Sequence, residues 1–172
     1  MSKKIAVIGG IDHGKTMLIS AIGCVFGTEV RSFYKDECTV LRTETKVDYN
    51  GEEYLFFDYF EDEDYEENLT GNEDGAILVI SGAYGPTYGT EEAIKLCEKL
   101  GIKIAAVFMS MCDMVDDEEL IELTEFDVRD MLEENGIEDY EIIEGSARRA
   151  AIYGEEDSDI IKKLVKTVSE NV

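Results

Sequence analysis

The stretch VIGGIDHGKTMLIS, residues 7–20, constrains the fold of this chain more than any other segment. An apolar run leads into a glycine-rich turn, and an amphipathic segment begins directly after the turn, at Lys15. The spacing Gly9-x-x-x-x-Gly14-Lys15-Thr16 matches the phosphate-binding loop that joins a strand to a helix. We therefore expect a buried strand, a phosphate-binding turn and a helix, in that order.

The chemistry of this loop follows from its residue types. Glycines let backbone N–H groups converge on phosphate oxygens, and the start of the helix adds the positive end of its dipole. Lys15 is expected to reach the β- and γ-phosphates of a nucleotide, and the Thr16 hydroxyl to bind Mg²⁺. His13, the sole histidine, is expected to pack within the loop instead of acting as a catalytic base. The residues predicted to contact the nucleotide here are Gly9, Gly10, Ile11, Asp12, His13, Gly14, Lys15, Thr16 and Met17.

Segments with strand and helix periods alternate along the rest of the chain. Asn50-Gly51 favours the positive φ angles of a tight turn and predicts a hairpin between 43–49 and 52–58. Residues 27–42 show no clear period and are predicted to be a mostly irregular connection. The other predicted elements are strands at 76–81, 103–110 and 140–147, and helices after an N-cap at Thr90, at 116–136 and at 157–170. This order indicates an α/β fold with a mostly parallel sheet, one antiparallel edge strand and helices on both faces.

The balance of charge limits the partners of the chain. It has 40 acidic and 16 basic residues, which give a formal charge of -24. Such a surface repels phosphate backbones, so a direct nucleic-acid partner is not expected, whereas a protein partner with a basic surface would suit it. No window approaches the roughly 18 apolar residues of a membrane span, so no membrane partner is expected. The N-terminal segment is interpreted as a strand and not as a signal peptide, which predicts a cytoplasmic location.

The four cysteines lie at irregular spacings and include no CxxC pair. A zinc site is therefore not expected. Cys24 and Cys97 fall in amphipathic patterns and are predicted to be reduced core residues.

Several segments resemble the translational GTPases, above all the elongation factor Tu branch. The loop GGIDHGKTML is similar to that family's GHVDHGKTTL, and the likeness continues in EDGAILVISGAYGPTYGTEEAI, CDMVDDEELIELTEFDVRDML and IEGSARRAA. The resemblance implies a P-loop NTPase fold of the Ras-like G-domain type, GTP or GDP and Mg²⁺ as ligands, and a role linked to the ribosome. It also implies that residues 1–172 form a single G domain without the family's β-barrel domains 2 and 3.

The resemblance assigns further site residues. Asp58 matches the Asp of the family's D-x-P-G-H and would be a second Mg²⁺ ligand beside Thr16. Ser110-Met111-Cys112-Asp113 stands where the family has N-K-C-D, which recognises guanine, and Ser146-Ala147 matches its S-A loop. The residues implied to contact the base are Ser110, Met111, Asp113, Met114, Ser146 and Ala147.

The chain departs from the family pattern at positions that matter for hydrolysis. Glu61 replaces a glycine that contacts the γ-phosphate, and Asp62 replaces the catalytic histidine. The catalytic residue is therefore unknown, and Lys15 is expected to stabilise phosphate charge. Thr39 or Thr43 could substitute for the threonine of the family's first switch, whose identity the sequence leaves open. These departures predict guanine-nucleotide binding with slow or absent GTP hydrolysis. The alternatives are a non-catalytic pseudo-GTPase that acts as an interaction module with an acidic surface, and an adenine-nucleotide ATPase.

Overall fold

The computed structural model describes residues 2–34, 36–37, 40–59 and 68–172. Its strands are β1 (Lys3–Gly9), β2 (Val30–Tyr34), β3 (Val40–Tyr49), β4 (Glu52–Tyr59), β5 (Gly75–Ser81), β6 (Ile104–Ser110) and β7 (Ile142–Glu144). The helices of the described residues are α1 (Lys15–Phe26), α2 (Tyr88–Leu100), α3 (Glu118–Glu134), α4 (Ala147–Tyr153) and α5 (Glu155–Asn171).

One mixed sheet organises the chain, with the strand order β2-β3-β4-β1-β5-β6-β7. Strand β1 pairs in parallel with β4 and β5, and β6 pairs in parallel with β5 and β7. Strand β3 is the one reversed strand among those described, because it is antiparallel to both β2 and β4. The expected α/β fold with a mostly parallel sheet is confirmed, and among the described strands the reversed one lies second from the edge.

The edge position belongs to β2, which the sequence did not reveal. The prediction of an irregular connection over 27–42 is therefore wrong for Val30–Tyr34 and for the start of β3. Strand β2 is largely exposed and lacks an apolar alternation. It exists because its backbone pairs with β3, from Val30 opposite Thr45 to Tyr34 opposite Val40. Such long-range pairing leaves no local signal in the sequence.

The predicted hairpin is confirmed. Asn50 and Gly51 have φ angles of 54° and 83° and join β3 to β4 in register, with Tyr49 opposite Glu52. Both residue types tolerate the left-handed backbone that a two-residue turn of this kind requires.

Two details of the helices differ from prediction. Helix α2 is capped by Thr87 and not by Thr90, whose hydroxyl instead accepts a hydrogen bond from the Thr87 N–H at 3.0 Å. This reciprocal arrangement of two threonines explains why Thr90 resembles a cap in the sequence. Helix α4 was not predicted, because its seven residues are too few to show a period.

Apolar side chains cover both faces of the sheet. Strand β1 alternates, so that Ile5 and Val7 join the cluster under α1, α4 and α5, while Ala6 and Ile8 join the cluster under α2 and α3. Helices therefore lie on both faces, as predicted. Cys97 is buried as expected, but Cys24 is exposed, which corrects its assignment to the core.

No helix in the described part of the chain is long and apolar enough to cross a bilayer.

The packing of α1 on the core predicts how substitutions change the free energy of unfolding. Ile22 on α1 is 0% exposed, whereas Ile152 on α4 is 58% exposed. We expect Ile22→Ala to lower the free energy of unfolding by about 2–5 kcal/mol, because it removes buried surface and leaves a cavity. The matched variant Ile152→Ala should change it by less than about 0.5 kcal/mol. Urea denaturation of both variants measures the difference, and equal effects would contradict the packing described here.

Candidate functional site

The glycine-rich turn leaves the sheet between β1 and α1. A Cβ on Gly9 would lie 2.1 Å from the Val79 carbonyl oxygen, so only glycine fits where β1 ends beside β5. Gly14 has a φ of 92° and caps α1, with no side chain bonded to the helix end. The backbone N–H groups of the first helical turn therefore face the loop as donors, which is the arrangement that binds phosphate.

Lys15 brings a positive charge to this turn. Its ammonium group donates hydrogen bonds to the carbonyl oxygens of Gly9, at 3.1 Å, and Gly10, at 2.8 Å, and its side chain is buried. The side chain thus lies folded over the loop, in position to stabilise a bound anion.

Thr16 and Asp58 meet at the base of the same turn. The Thr16 hydroxyl donates to Asp58 Oδ2 at 2.6 Å, and the Thr43 N–H donates to Oδ1 at 3.2 Å. Burial raises the pKa of Asp58, against the hydrogen bonds from Thr16 and Thr43 and the charge of Lys15, which lower it. A carboxylate and a hydroxyl are hard oxygen donors, so these residues fit the ligand chemistry of Mg²⁺.

A cleft of about 440 Å³ opens above these groups. This volume lies within the range of small-molecule sites. The cleft is lined by Ile11, Asp12, Gly14, Lys15, Thr16, Met17, Ser20, Asp58 and Tyr59. Most of the residues predicted from the loop, together with the predicted metal ligand, are thereby brought to one site.

His13 lies behind the cleft. Its ring is buried, and Nδ1 accepts a hydrogen bond from the Ser81 N–H at 3.4 Å. Its carbonyl oxygen accepts a bond from the Ser110 hydroxyl at 2.6 Å. The histidine therefore anchors the loop to the ends of β5 and β6, in keeping with the local packing that the sequence suggested.

The segment after β6 contains the residues expected to contact a base. The Ser110 hydroxyl is buried and bonds His13 and Ile80 carbonyls, so it ties β6 to the phosphate-binding loop. Met111 has a left-handed backbone with a φ of 59°. Asp113 and Met114 lie in the following 3-10 turn with their side chains exposed.

The turn after β7 lies against the turn after β6. The Cys112 N–H donates to the Gly145 carbonyl at 3.3 Å, and the Gly145 N–H donates to the Met109 carbonyl at 3.0 Å. Ser146 caps α4 through its hydroxyl, which accepts from the Arg149 N–H at 3.1 Å. The two segments expected to recognise a base are therefore neighbours, although Ser146 and Ala147 are both buried.

Some predicted residues lie elsewhere. Glu61, Asp62 and Thr39 are outside the described residues. The Thr43 hydroxyl forms a 3.3 Å hydrogen bond with the Ser32 hydroxyl between β2 and β3. Thr43 thus reaches Asp58 through its backbone N–H and not as a side chain in the cleft.

Three residues of this site were not predicted from the sequence. Ser20 and Tyr59 line the cleft, and Ser81 contacts both His13 and Met111. Ser81 could have been found by the rule that identified Asp58, because it is a polar residue at the carboxyl end of a buried parallel strand.

The family model described as the elongation factor Tu GTP binding domain matches residues 35–172. The matched range contains Asp58 and the turns after β6 and β7, and the phosphate-binding loop precedes it. Membership of the family that this model describes implies binding of a guanine nucleotide. Because the match spans most of the chain and the structure has the α/β sheet of a P-loop G domain, this protein belongs to the elongation factor Tu GTP-binding domain family.

Proposed function

We propose that residues 1–172 act as one G domain that binds GDP and GTP with Mg²⁺ and hydrolyses GTP slowly or not at all. One observation carries this proposal: Lys15, Thr16 and Asp58 converge on a single cleft at the start of α1. Catalysis and binding in such a site rest on positioning and on neutralising charge.

The phosphates would be held by the loop and by Lys15. Backbone N–H groups at the start of α1 supply hydrogen bonds, and the helix dipole favours a negative group there. Lys15 is already held at the loop by two carbonyl oxygens, so little side-chain entropy is lost when an anion binds. Mg²⁺, when bound, would neutralise phosphate charge, with Thr16 and Asp58 as its protein ligands.

The base would lie beside the turns after β6 and β7. The exposed carboxylate of Asp113 can accept two hydrogen bonds from guanine N1–H and N2–H, which adenine does not offer. Met111 supplies an apolar, polarisable side chain where the family has a lysine. This chemistry supports guanine over adenine and disfavours the ATPase alternative.

We expect hydrolysis of GTP to be slow or absent. In the sequence, Asp62 stands where the family has its catalytic histidine, and a carboxylate near a triphosphate repels it. A non-catalytic pseudo-GTPase is therefore the second candidate, and it shares the binding step. Release of phosphate under single-turnover conditions with excess protein separates the two candidates.

We extend the proposal to location and partners. The family's role in translation supports a cytoplasmic location for this protein and a link to the ribosome. The charge of -24 supports docking on a protein with a basic surface, because opposite fields speed encounter. Direct binding to nucleic acid is disfavoured by the same charge.

The first prediction concerns Lys15. Lys15→Ala should weaken GDP binding by about 10- to 100-fold, since it removes a charged hydrogen-bond donor from the phosphates. Lys162→Ala is the control, because Lys162 is exposed and its ion pair with Asp159 lies on the surface of α5. Calorimetry with GDP in Mg²⁺ measures both affinities. Unchanged GDP affinity in Lys15→Ala would mean that the loop is not the site.

The second prediction concerns the metal. Asp58→Asn should remove most of the gain in GDP affinity that Mg²⁺ gives the unaltered protein, because a neutral amide is a poorer Mg²⁺ ligand than a carboxylate. In EDTA, where Mg²⁺ is removed, Asp58→Asn and the unaltered protein should bind GDP with nearly the same affinity. Asp159→Asn serves as a control with an exposed carboxylate. An equal gain from Mg²⁺ in Asp58→Asn and the unaltered protein would exclude Asp58 as a ligand.

The third prediction concerns the acidic run EDED at residues 61–64. We expect GDP to bind at least as tightly as a non-hydrolysable GTP analogue, because the resemblance aligns this run with the family's γ-phosphate-contacting segment and like charges repel. Competition against a fluorescent GDP derivative gives both dissociation constants. Clearly tighter binding of the GTP analogue would contradict the proposed repulsion between the acidic run and the γ-phosphate.

A further inference from the structure

The neighbouring strands β5 and β6 each end in a serine, behind the phosphate-binding loop. Ser81 lies directly opposite Ser110 in the ladder, and both are buried. Ser110 bonds the backbone of His13 and fixes the loop. Ser81 contacts the loop through its backbone N–H, which donates to His13 Nδ1, while its hydroxyl bonds other groups.

The Ser81 hydroxyl is oriented by the turn that follows it. Its oxygen accepts hydrogen bonds from the N–H groups of Ala83 and Tyr84, both at 3.2 Å. A hydroxyl oxygen has two lone pairs and one proton. With both lone pairs engaged, the proton is directed at Met111 Sδ, which lies 3.5 Å away.

Met111 is thereby held at both ends. Its backbone is fixed in the left-handed region by the turn, whose Met114 N–H donates to the Met111 carbonyl at 3.0 Å. Its terminal methyl lies over the loop, 3.4 Å from the position that a Cβ on Gly14 would occupy. Methionine has three rotatable side-chain bonds and would otherwise sample many rotamers. The Ser81 hydroxyl therefore restricts a side chain whose methyl group lies against the phosphate-binding loop.

We propose that Ser81 is a positioning residue for nucleotide recognition, which orients the Met111 thioether as a preformed stacking surface for the purine base. The inference rests on the proposed binding of a guanine nucleotide in this cleft. A side chain ordered before binding loses less entropy when the base arrives, and this gain is specific to ligands that carry a base. Phosphate alone does not contact the surface and gains nothing from it.

Ser81→Ala separates this role from support of the loop, because alanine keeps the N–H that His13 accepts. We expect Ser81→Ala to weaken GDP binding by about 3- to 10-fold, the range of one hydrogen bond, and to leave the affinity for Mg²⁺-pyrophosphate unchanged. Met111→Leu removes the sulfur acceptor from the other side of the pair. In the Met111→Leu background, Ser81→Ala should change GDP affinity by less than about 2-fold, as a double-mutant cycle requires for two groups that act together.

A spectroscopic measurement reports the orientation itself. With ¹³C-methyl methionine, the Met111 signal, assigned by its loss in Met111→Leu, should shift on addition of GDP and stay in place with pyrophosphate. In Ser81→Ala without ligand, the same signal should move toward the position of a freely rotating methionine. Thr167→Val is the control, because its buried hydroxyl bonds Glu141 at 2.9 Å just before the edge strand β7, away from the turns that follow β5 and β6.

The outcomes distinguish this inference from the proposed function. If the unaltered protein binds GDP but Ser81→Ala binds it equally well, only the role of Ser81 is overturned. If Ser81→Ala loses GDP and pyrophosphate affinity to the same extent, Ser81 supports the loop and the inference is also overturned. If the unaltered protein binds no GDP, both proposals fail.

Discussion

The close approach of Gly9 to the Val79 carbonyl is the constraint on which the site depends. Strand β1 runs in parallel beside β5 up to this pair, and a side chain at Gly9 would collide with the neighbouring backbone. Because Gly9 has no side chain, the chain can turn out of the sheet directly after β1 and start α1 six residues later. The loop carbonyls then face Lys15, and the helix start faces the cleft. Asp58 and the turn after β6 are placed by strands that pair with β1 and β5, and the turn after β7 is placed by a strand that pairs with β6.

The site reconciles an anion ligand with a strongly acidic chain. A formal charge of -24 raises the free energy of any phosphate near the surface, although salt screens exposed charges beyond about 8–10 Å. The buried ammonium of Lys15 and the N–H groups of α1 act at contact distance and in a lower dielectric, where their effect is larger. Local groups therefore decide whether phosphate binds, and the overall charge decides which larger partners can approach.

Local patterns predicted the parts of the structure that local contacts build. The phosphate-binding loop, the Asn50-Gly51 turn and the alternation of strands with helices all leave signals within a few residues. Strand β2 was missed because it is held by pairing with β3 and has no apolar face of its own. Cys24 was misplaced because an amphipathic pattern does not locate the boundary between the buried and exposed sides of α1.

The same distinction applies to the site. Lys15, Thr16 and Asp58 were identified from a motif, from the end of a strand and from family resemblance. The strand-end rule could have placed Ser81 near the site, but its contact with Met111 depends on the register of β5 against β6 and on the turn after each strand. Residue types at strand ends indicate where a site lies, whereas the contacts between them follow only from tertiary pairing.

Local preference is violated at several points around this one cleft. Burial raises the pKa of the Asp58 carboxyl, which means that the surrounding structure disfavours its charge. Asp12 and Met111 both adopt positive φ angles, which residues with side chains rarely do. Such conflicts persist where the rest of the fold over-determines them, and they cluster at functional sites. A cation beside Asp58 would favour its charged form, so the Mg²⁺ proposed here would stabilise this arrangement.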